Sequence, residues 1–505
     1  MGKKKSAVLI ILFTIVLAGV LFLSITPTFP VKSPYSFRSL LSIVDLGKDL
    51  DGGYYTVYYP EGVISKAEYE TLKAEYDYVL ENTEEGKKPS VDNPEENYKP
   101  YKGLYLSTDI YSEETGVTKE FKEEFEQAYR VVKARYEARG LTDYAVRLQD
   151  DYTIRAEIPR LALKDSESES LAQDLFTKFA YSGGLVFTDA SSATASGTVE
   201  MAGTSEYIKG ASTVDAGDSG YAVVIKFTKA GRAKFKEITG TLASSSSDSS
   251  SSSSGATLNI YMGGELLMGA SVSEEMDQAS VYITGNYTRE SAETMAVVIN
   301  SAIAENDIID LTFQSPEYYS LDPSMGEYAA VTVAAVIGVL VLAMLIFSIV
   351  KFKGMGLAHL YGFLTYALAV IACISLISVI QITMGGVLAI LLASAIMVSC
   401  NYYAFNNIKK EFATGKTLTA SVKSGYKKSL AFTIDLHAIL LIAGLALYLI
   451  ATGPVKMMGL VFTLCIALSA FCTLLVTRFC LYIWMAQPRN KIAFVGFKRE
   501  ETEDE

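Results

Sequence analysis

Six apolar runs, each about 20 residues long, stand out from a chain that is otherwise polar and periodic. The first covers residues 7–25, and the other five fall together in the block 328–484. A run of that length crosses a hydrocarbon layer of ~30 Å at 1.5 Å per residue. Between them the pattern changes to the two-residue alternation of strands and the 3.6-residue period of amphipathic helices. Residues 54–59 read as a strand, 67–80 as a helix and 82–97 as a loop. A long helix is predicted over 119–139, with Phe121, Phe125, Ala128, Val132 and Tyr136 on one face and Gly140 where a C-cap belongs. Residues 146–148 and 152–158 form a hairpin around Gln149-Asp150-Asp151. Helix 171–179, strand 185–188, strand 221–227 and helix 230–238 follow, with 190–205 a small, polar, mobile loop. Three more strands (258–262, 265–270, 280–284) lead to a helix over 289–303 entered by Thr288, and 311–314 closes the region. The mixture predicts an α+β domain, one sheet face covered by helices. Residues 244–254 are serine except for Asp248, a composition that buries no apolar surface and reads as a flexible insert.

Charge sets the orientation. Lys3, Lys4 and Lys5 precede the first span, which is longer than a signal-peptide core and has no Ala-Xaa-Ala site after it, so it is expected to stay. The positive-inside rule then places the N-terminus in the cytoplasm. Lys351 and Lys353, the six lysines between 409 and 428, and Arg489, Lys491, Lys498 and Arg499 all fall on the same side, whereas 381–386 has no charge. Six spans with both termini cytoplasmic and a large extracytoplasmic domain follow.

Composition narrows the function. The chain has 505 residues, half of them hydrophobic, and a net charge of −12. Residues 28–328 hold 49 acidic and 27 basic side chains, a net −22, leaving +10 for the rest. Such an acidic domain excludes nucleic acid as a partner. Cys373, Cys400, Cys465, Cys472 and Cys480 all lie in the apolar block, and His359 and His437 are the only histidines. No disulfide framework, metal site or cofactor motif is expected. Without His-Glu-Xaa-Xaa-His, a Ser-Lys pair or paired intramembrane aspartates, a membrane enzyme is not expected either.

Several short segments then resemble one family. Leu46-Gly47-Lys48-Asp49-Leu50-Asp51-Gly52-Gly53 is similar to the Leu-Gly-Leu-Asp-Leu-Arg-Gly-Gly signature of the SecD family of protein-export membrane subunits, with Lys48 and Asp51 as departures. Residues 135–141 resemble the helix end before its first hairpin, and 221–239 its strand–helix unit. Ile283-Thr284-Gly285-Asn286-Tyr287 resembles its Ile-Thr-Gly-Asn-Phe element, Pro323-Ser324-Met325-Gly326 its entry to the second span, and Thr452-Gly453-Pro454-Val455-Lys456 its last outer turn. The resemblance implies an α-helical six-span bundle of the RND-transporter type with a ferredoxin-like extracytoplasmic domain carrying an inserted head. Its domains would be 1–27, the N-terminus and first span; 28–165, the first part of the base; 166–327, the head and remaining base with the insert 244–254; 328–485, spans two to six; and 486–505, a cytoplasmic tail. Asp49, Gly52, Gly53, Gly285, Gly453 and Pro454 become motif residues of structural role. The implied partners are a SecF-like six-span subunit, the SecY channel with the SecA ATPase, emerging secreted polypeptides and the bilayer.

In that family a fourth-span aspartate, in Val-Asp-Ala-Asn-Val, is thought to carry protons. Here 398–402 reads Val-Ser-Cys-Asn-Tyr: Asn401 is kept, but Ser399 takes the acid's place, and a hydroxyl does not titrate near neutral pH. Asp435, in the fifth span, is the other candidate, because intramembrane acids mark function by default. Two roles stay open for it: proton carriage, or a structural bond to Asn401, Ser399 or a backbone donor. His437, two residues on, reads as an interfacial histidine and Arg478 as a snorkelling cation. Glu123-Glu124 reads as a solvated face, and the aromatic run 54–59 mainly as core. An RND-type half-transporter for lipid or small molecules is the alternative; a depletion phenotype of export failure rather than substrate accumulation separates the two.

Overall fold

The structure is a computed structural model that describes residues 2–497 except 27–28, 33–34, 38, 84–86, 142, 150, 161–164, 194, 218–219, 248–255, 304–307, 378 and 489. It divides into two compact units, 1–53 with 321–505, and 54–320.

In the first unit the apolar runs become six helices long enough to span a membrane: Lys3–Ile25, Ala329–Phe352, Gly354–Leu376, Met384–Ala413, Leu418–Ile450 and Gly453–Trp484. The fourth, fifth and sixth reach 30, 33 and 32 residues, well beyond their apolar runs. The excess lies in good helix formers at the Lys-rich ends, where Thr417 caps the fifth helix by accepting from the Ala420 amide. Glu411 ties that end together: it is buried, accepts from Ser424 Oγ at 2.7 Å, and pairs with both Lys416 and Lys428. Small residues set the spacing of the helices. A Cβ on Gly425 would lie 2.6 Å from the Ile408 backbone nitrogen, and one on Gly459 2.6 Å from that of Tyr448, so spans four and five, and five and six, meet backbone to backbone. Val331, Val339, Val350, Ile439, Ile442 and Leu449 stand exposed on the outside, as side chains facing hydrocarbon do.

The second unit is built on a four-stranded sheet in the order Ala145–Gln149, Thr153–Pro159, Gly53–Tyr58, Tyr318–Leu321. Its inner face (Tyr54, Tyr58, Ile154, Ala156, Ile158) and the helix Lys119–Ala138, through Phe121, Phe125, Ala128, Val132 and Tyr136, belong to one buried cluster. The helices Asp165–Phe179 and Arg289–Ser301 add to it. Two further sheets share the same core. One has the order Glu200–Ala202, Val186–Thr188, Ala256–Met262, Glu265–Val272, and the other Ile208–Asp215, Tyr221–Phe227, Ser280–Tyr287. The helix Lys229–Ser247 contributes Phe235, Ile238 and Leu242. A small sheet of Val63–Ser65, Leu104–Ser107 and Tyr98–Tyr101 packs on helix Lys66–Glu81, where Tyr69 and Tyr105 stack at 3.7 Å.

One buried charge locks this unit. Arg135 is fully buried. Its Nη1 donates to the carbonyls of Phe179 and Tyr181, both at 2.8 Å, and its Nε to Ser301 Oγ at 2.8 Å. A single cation thereby closes the C-terminal ends of two helices, where the backbone dipoles favour positive charge. Burial holds its pKa down at about 10, opposed by Tyr58. Beside it Tyr58 donates to the Phe176 carbonyl at 3.2 Å, so Tyr136 donates to Tyr58 across 2.8 Å.

Some local expectations change. The loop expected at 190–205 holds the strand Glu200–Ala202 and is pinned by Asp189, which accepts from the Thr198 and Val199 amides at 2.7 and 3.0 Å. The run 82–97 ends in a helical turn, Pro94–Asn97, capped by Asn93. The serine run begins as helix, to Ser247; residues 248–254 of it lie outside the described residues.

Candidate functional site

The fourth span carries the polar stretch 398–402, and its neighbours decide what each group can do. Asn401 is buried; its Nδ2 donates to the Met397 carbonyl at 2.9 Å and to Thr473 Oγ1 at 3.4 Å, while its Oδ1 is buried without a partner. Thr473 belongs to a π-helical segment, Cys472–Thr477, inside the sixth span. Such a widening alters the regular backbone bonding and recurs at functional positions. Nothing in the apolar pattern of 472–477 announces it.

Ser399 lies elsewhere. It is exposed on the outside of the unit and closes its hydroxyl on the Ala395 carbonyl at 2.8 Å. Asp435 is exposed too, and among the described residues no hydrogen bond or ion pair holds it. The structural role considered for Asp435, a bond to Asn401, Ser399 or the backbone, is therefore absent. Asn401 and Ser399 each bond a carbonyl of their own helix. The rings of Tyr403 and Phe432 meet between spans four and five, with centroids 4.8 Å apart. Ser399 precedes Tyr403 by one turn, and Asp435 follows Phe432 by nearly one. Because the two helices run antiparallel, both groups sit on the same side of that aromatic pair, on one exposed face.

His437 is a correction. His437 is not interfacial but 2% exposed, packed between spans five and six. Its Nδ1 lies 2.7 Å from the Thr433 carbonyl, which only accepts, so Nδ1 carries the proton and Nε2 accepts from Ser469 Oγ at 3.1 Å. His359 is buried as well, Nδ1 2.8 Å from Ser348 Oγ, with Nε2 unpartnered. A two-residue offset from Asp435 turned His437 inward, as the period requires. Arg478 lies 5.4 Å from the Tyr426 ring and 6.0 Å from that of Tyr482, held by aromatic faces rather than by an acid.

The glycine signature forms a buckle in the same unit. Asp45–Leu46 pairs in parallel with Gln381–Ile382, and the Gly47 amide donates to the Ile382 carbonyl at 2.9 Å, just before the fourth span begins. Leu50 is buried among the membrane helices. Ser324 Oγ donates to the Asp49 carbonyl at 3.4 Å. Gly52 sits at φ +72°, and a Cβ there would lie 2.3 Å from the Leu321 carbonyl oxygen. Gly53 is buried at the head of its strand. Gly453 takes φ +58°, with Pro454 in the first turn of the sixth span. In the second unit Gly285 lies where the ladder slips: Tyr221 pairs with Tyr287 but Ala222 with Thr284, leaving a bulge. Among the described residues no cluster of three or more His, Cys, Asp or Glu could hold a metal.

Comparison with known proteins agrees with this arrangement. Residues 188–303 match the family model for the SecDF P1 head subdomain. The chain is 25% identical over 373 residues to the protein translocase subunit SecD of Acidaminococcus fermentans, covering 74% of this chain and 82% of that protein. It is 26% identical over 226 residues to the SecD subunit of Dictyoglomus turgidum, covering 44% and 55%. The match spans about half the length of further curated relatives (52% and 46%). A crystal structure of SecDF in its super-membrane-facing form superposes with a TM-score of 0.55 at 18% identity, over 93% of this chain and 57% of that one. The fold is thus that of the SecDF crystal structure, six apolar helices with a large α/β domain. Within that class, the chain is most readily compared with the SecD subunits of the protein translocase, to which it is similar over up to 74% of its length.

Proposed function

We propose that this chain is an accessory subunit of the Sec protein translocase that assists the late export of polypeptides across the plasma membrane. Both termini are then cytoplasmic and residues 54–320 extracytoplasmic, the arrangement favoured by the lysines flanking the spans. It works beside a SecY channel fed by SecA, with a SecF-like six-span subunit as its other half. Its role is mechanical rather than enzymatic. The observation that carries the reading is the exposed face of Ser399 and Asp435. A carboxylate left unpaired on the outside of a membrane bundle is costly in lipid, and a second helical subunit packed there supplies its environment. The SecD relatives cited above support the same assignment.

Proton coupling, on this reading, belongs to the assembled pair. Ser399 cannot titrate, and Asn401 is an orienting group bonded to Thr473. Asp435 is the group of this chain that exchanges protons at the shared face. The test is export into vesicles carrying this chain and its six-span partner, with and without a proton gradient. Asp435→Asn is expected to abolish the gradient-dependent part of export and leave the SecA-driven part. An unchanged gradient response removes Asp435 from the mechanism. Normal export with accumulation of a lipid or small molecule in cells lacking the chain points instead to the transporter alternative.

A further inference from the structure

The sheet Ala145–Gln149, Thr153–Pro159, Gly53–Tyr58, Tyr318–Leu321 has its inner face in the core, but its outer face carries an open cavity of about 340 Å³. Val57 contributes from the sheet, Tyr59 from just after its strand, Glu68 from the start of helix Lys66–Glu81, and Gln314, Glu317 and Tyr319 from the segment that becomes the edge strand. No lysine or arginine lines it.

We propose that this cavity receives the lysine or arginine side chain of an extended polypeptide laid along the edge strand Tyr318–Leu321. The inference rests on the reading above that the chain handles exported polypeptides, and it names where and by what chemistry.

Three observations carry it. First, the charge is one-sided: among the described residues neither Glu68 nor Glu317 forms an ion pair, and the Glu317 carboxylate accepts only from Tyr319 Oη, at 2.9 Å. Arg155, on the same sheet, is already spent, 4.0 Å over the Tyr55 ring and 2.9 Å from Glu157. Second, the lining is aromatic as well as acidic. Tyr59 and Tyr319 face the cavity, and Tyr319 stacks on Tyr55 at 5.2 Å. Phenol rings beside carboxylates attract a partly desolvated cation, and the two carboxylates repel an anion. The phenols register that field: Tyr59 is raised by burial and then by Asp151 and Glu68, and Tyr319 by its bond to Glu317 and then by burial. Third, Tyr318–Leu321 is an edge of its sheet. An edge strand offers main-chain groups to a second extended chain, whose alternate side chains then point to one face. A free metal ion fits poorly, since the cavity supplies two carboxylates and no further ligand of that kind.

The test uses the full chain in detergent micelles and fluorescent nonapeptides of alternating valine and threonine with one central Lys, Arg, Gln or Glu, read by anisotropy. The Lys and Arg peptides are expected to bind about tenfold more tightly than the Gln peptide, with the preference shrinking as salt rises. The double variant Glu68→Gln, Glu317→Gln is expected to erase the preference while circular dichroism stays unchanged. Tyr319→Phe, which keeps the ring but frees Glu317, is expected to retain most of it. A photo-crosslinker beside the peptide lysine is expected to capture residues 314–319. Equal binding of the Lys and Gln peptides, or a Lys preference that survives the double variant, overturns the proposal. A Lys preference in a chain whose loss leaves export intact refutes the export role alone.

Discussion

Arg135 and Asp435 are two ionisable groups in two environments that discourage charge, and the two units treat them in opposite ways. In the 54–320 unit, Arg135 is fully buried and closed on three acceptors supplied by the chain itself. In the membrane unit, Asp435 stands on the outside with no partner among the described residues. The buried cation is held by its own chain, although its Nη2 is buried without a partner among the described residues. An acid on an outward face has no such enclosure within the chain.

The contrast is broken most easily at Arg135. Arg135→Met leaves the Phe179 and Tyr181 carbonyls buried without a donor and is expected to destabilise the 54–320 unit by about 3–5 kcal/mol. A large fall in melting temperature and new protease cuts within 54–320 check it; a stable variant shows that the clamp is dispensable. Next comes Gly52→Ala, at the buckle of the membrane unit. The backbone conformation there suits only glycine, and the new methyl meets a carbonyl oxygen, so a loss of at least ~1–3 kcal/mol is expected in detergent unfolding.

Asp189→Ala removes the acceptor for two amides and the Thr198 hydroxyl, with an expected cost of about 1–2 kcal/mol. Burial alone pushes this carboxyl up, but its hydrogen bonds from Thr198 and Val199 outweigh that and leave the pKa below the ordinary 3.8. Its stabilisation is therefore complete above the unfolded value and lost as pH falls through the lower folded one. Acid unfolding below about pH 4 is expected to be shallower in the variant than in the parent. The smallest effect on stability is expected at Asp435: Asp435→Asn changes it by less than ~0.5 kcal/mol, because nothing in the chain is bonded to it. A loss above 2 kcal/mol would show that Asp435 has a structural partner after all, and the comparison with Arg135 would collapse.

Much of this was legible in the residues. The helix through Phe121, Phe125, Ala128, Val132 and Tyr136 buries the face its period predicts, and Gly140 follows it with the positive φ of a C-cap. The six apolar runs became six spans. The inward turn of His437 was also within reach of the helical period, although its burial was not, since that depends on Ser469 across the bundle. What escaped the sequence is non-local. No local rule pairs Asp45–Leu46 with Gln381–Ile382, sets Arg135 between two helix ends, or places a π segment opposite Asn401.

The sequence by itself determined the number of spans, the acidic soluble domain and the substitution of Ser399 for an acid. These depend on composition and on periods that act over a few residues. Only the tertiary structure decided that Asn401 turns inward to Thr473 while Ser399 and Asp435 turn outward. A polar residue in a membrane helix has the same composition whichever way it points, and its direction is set by which neighbouring helices pack against that face.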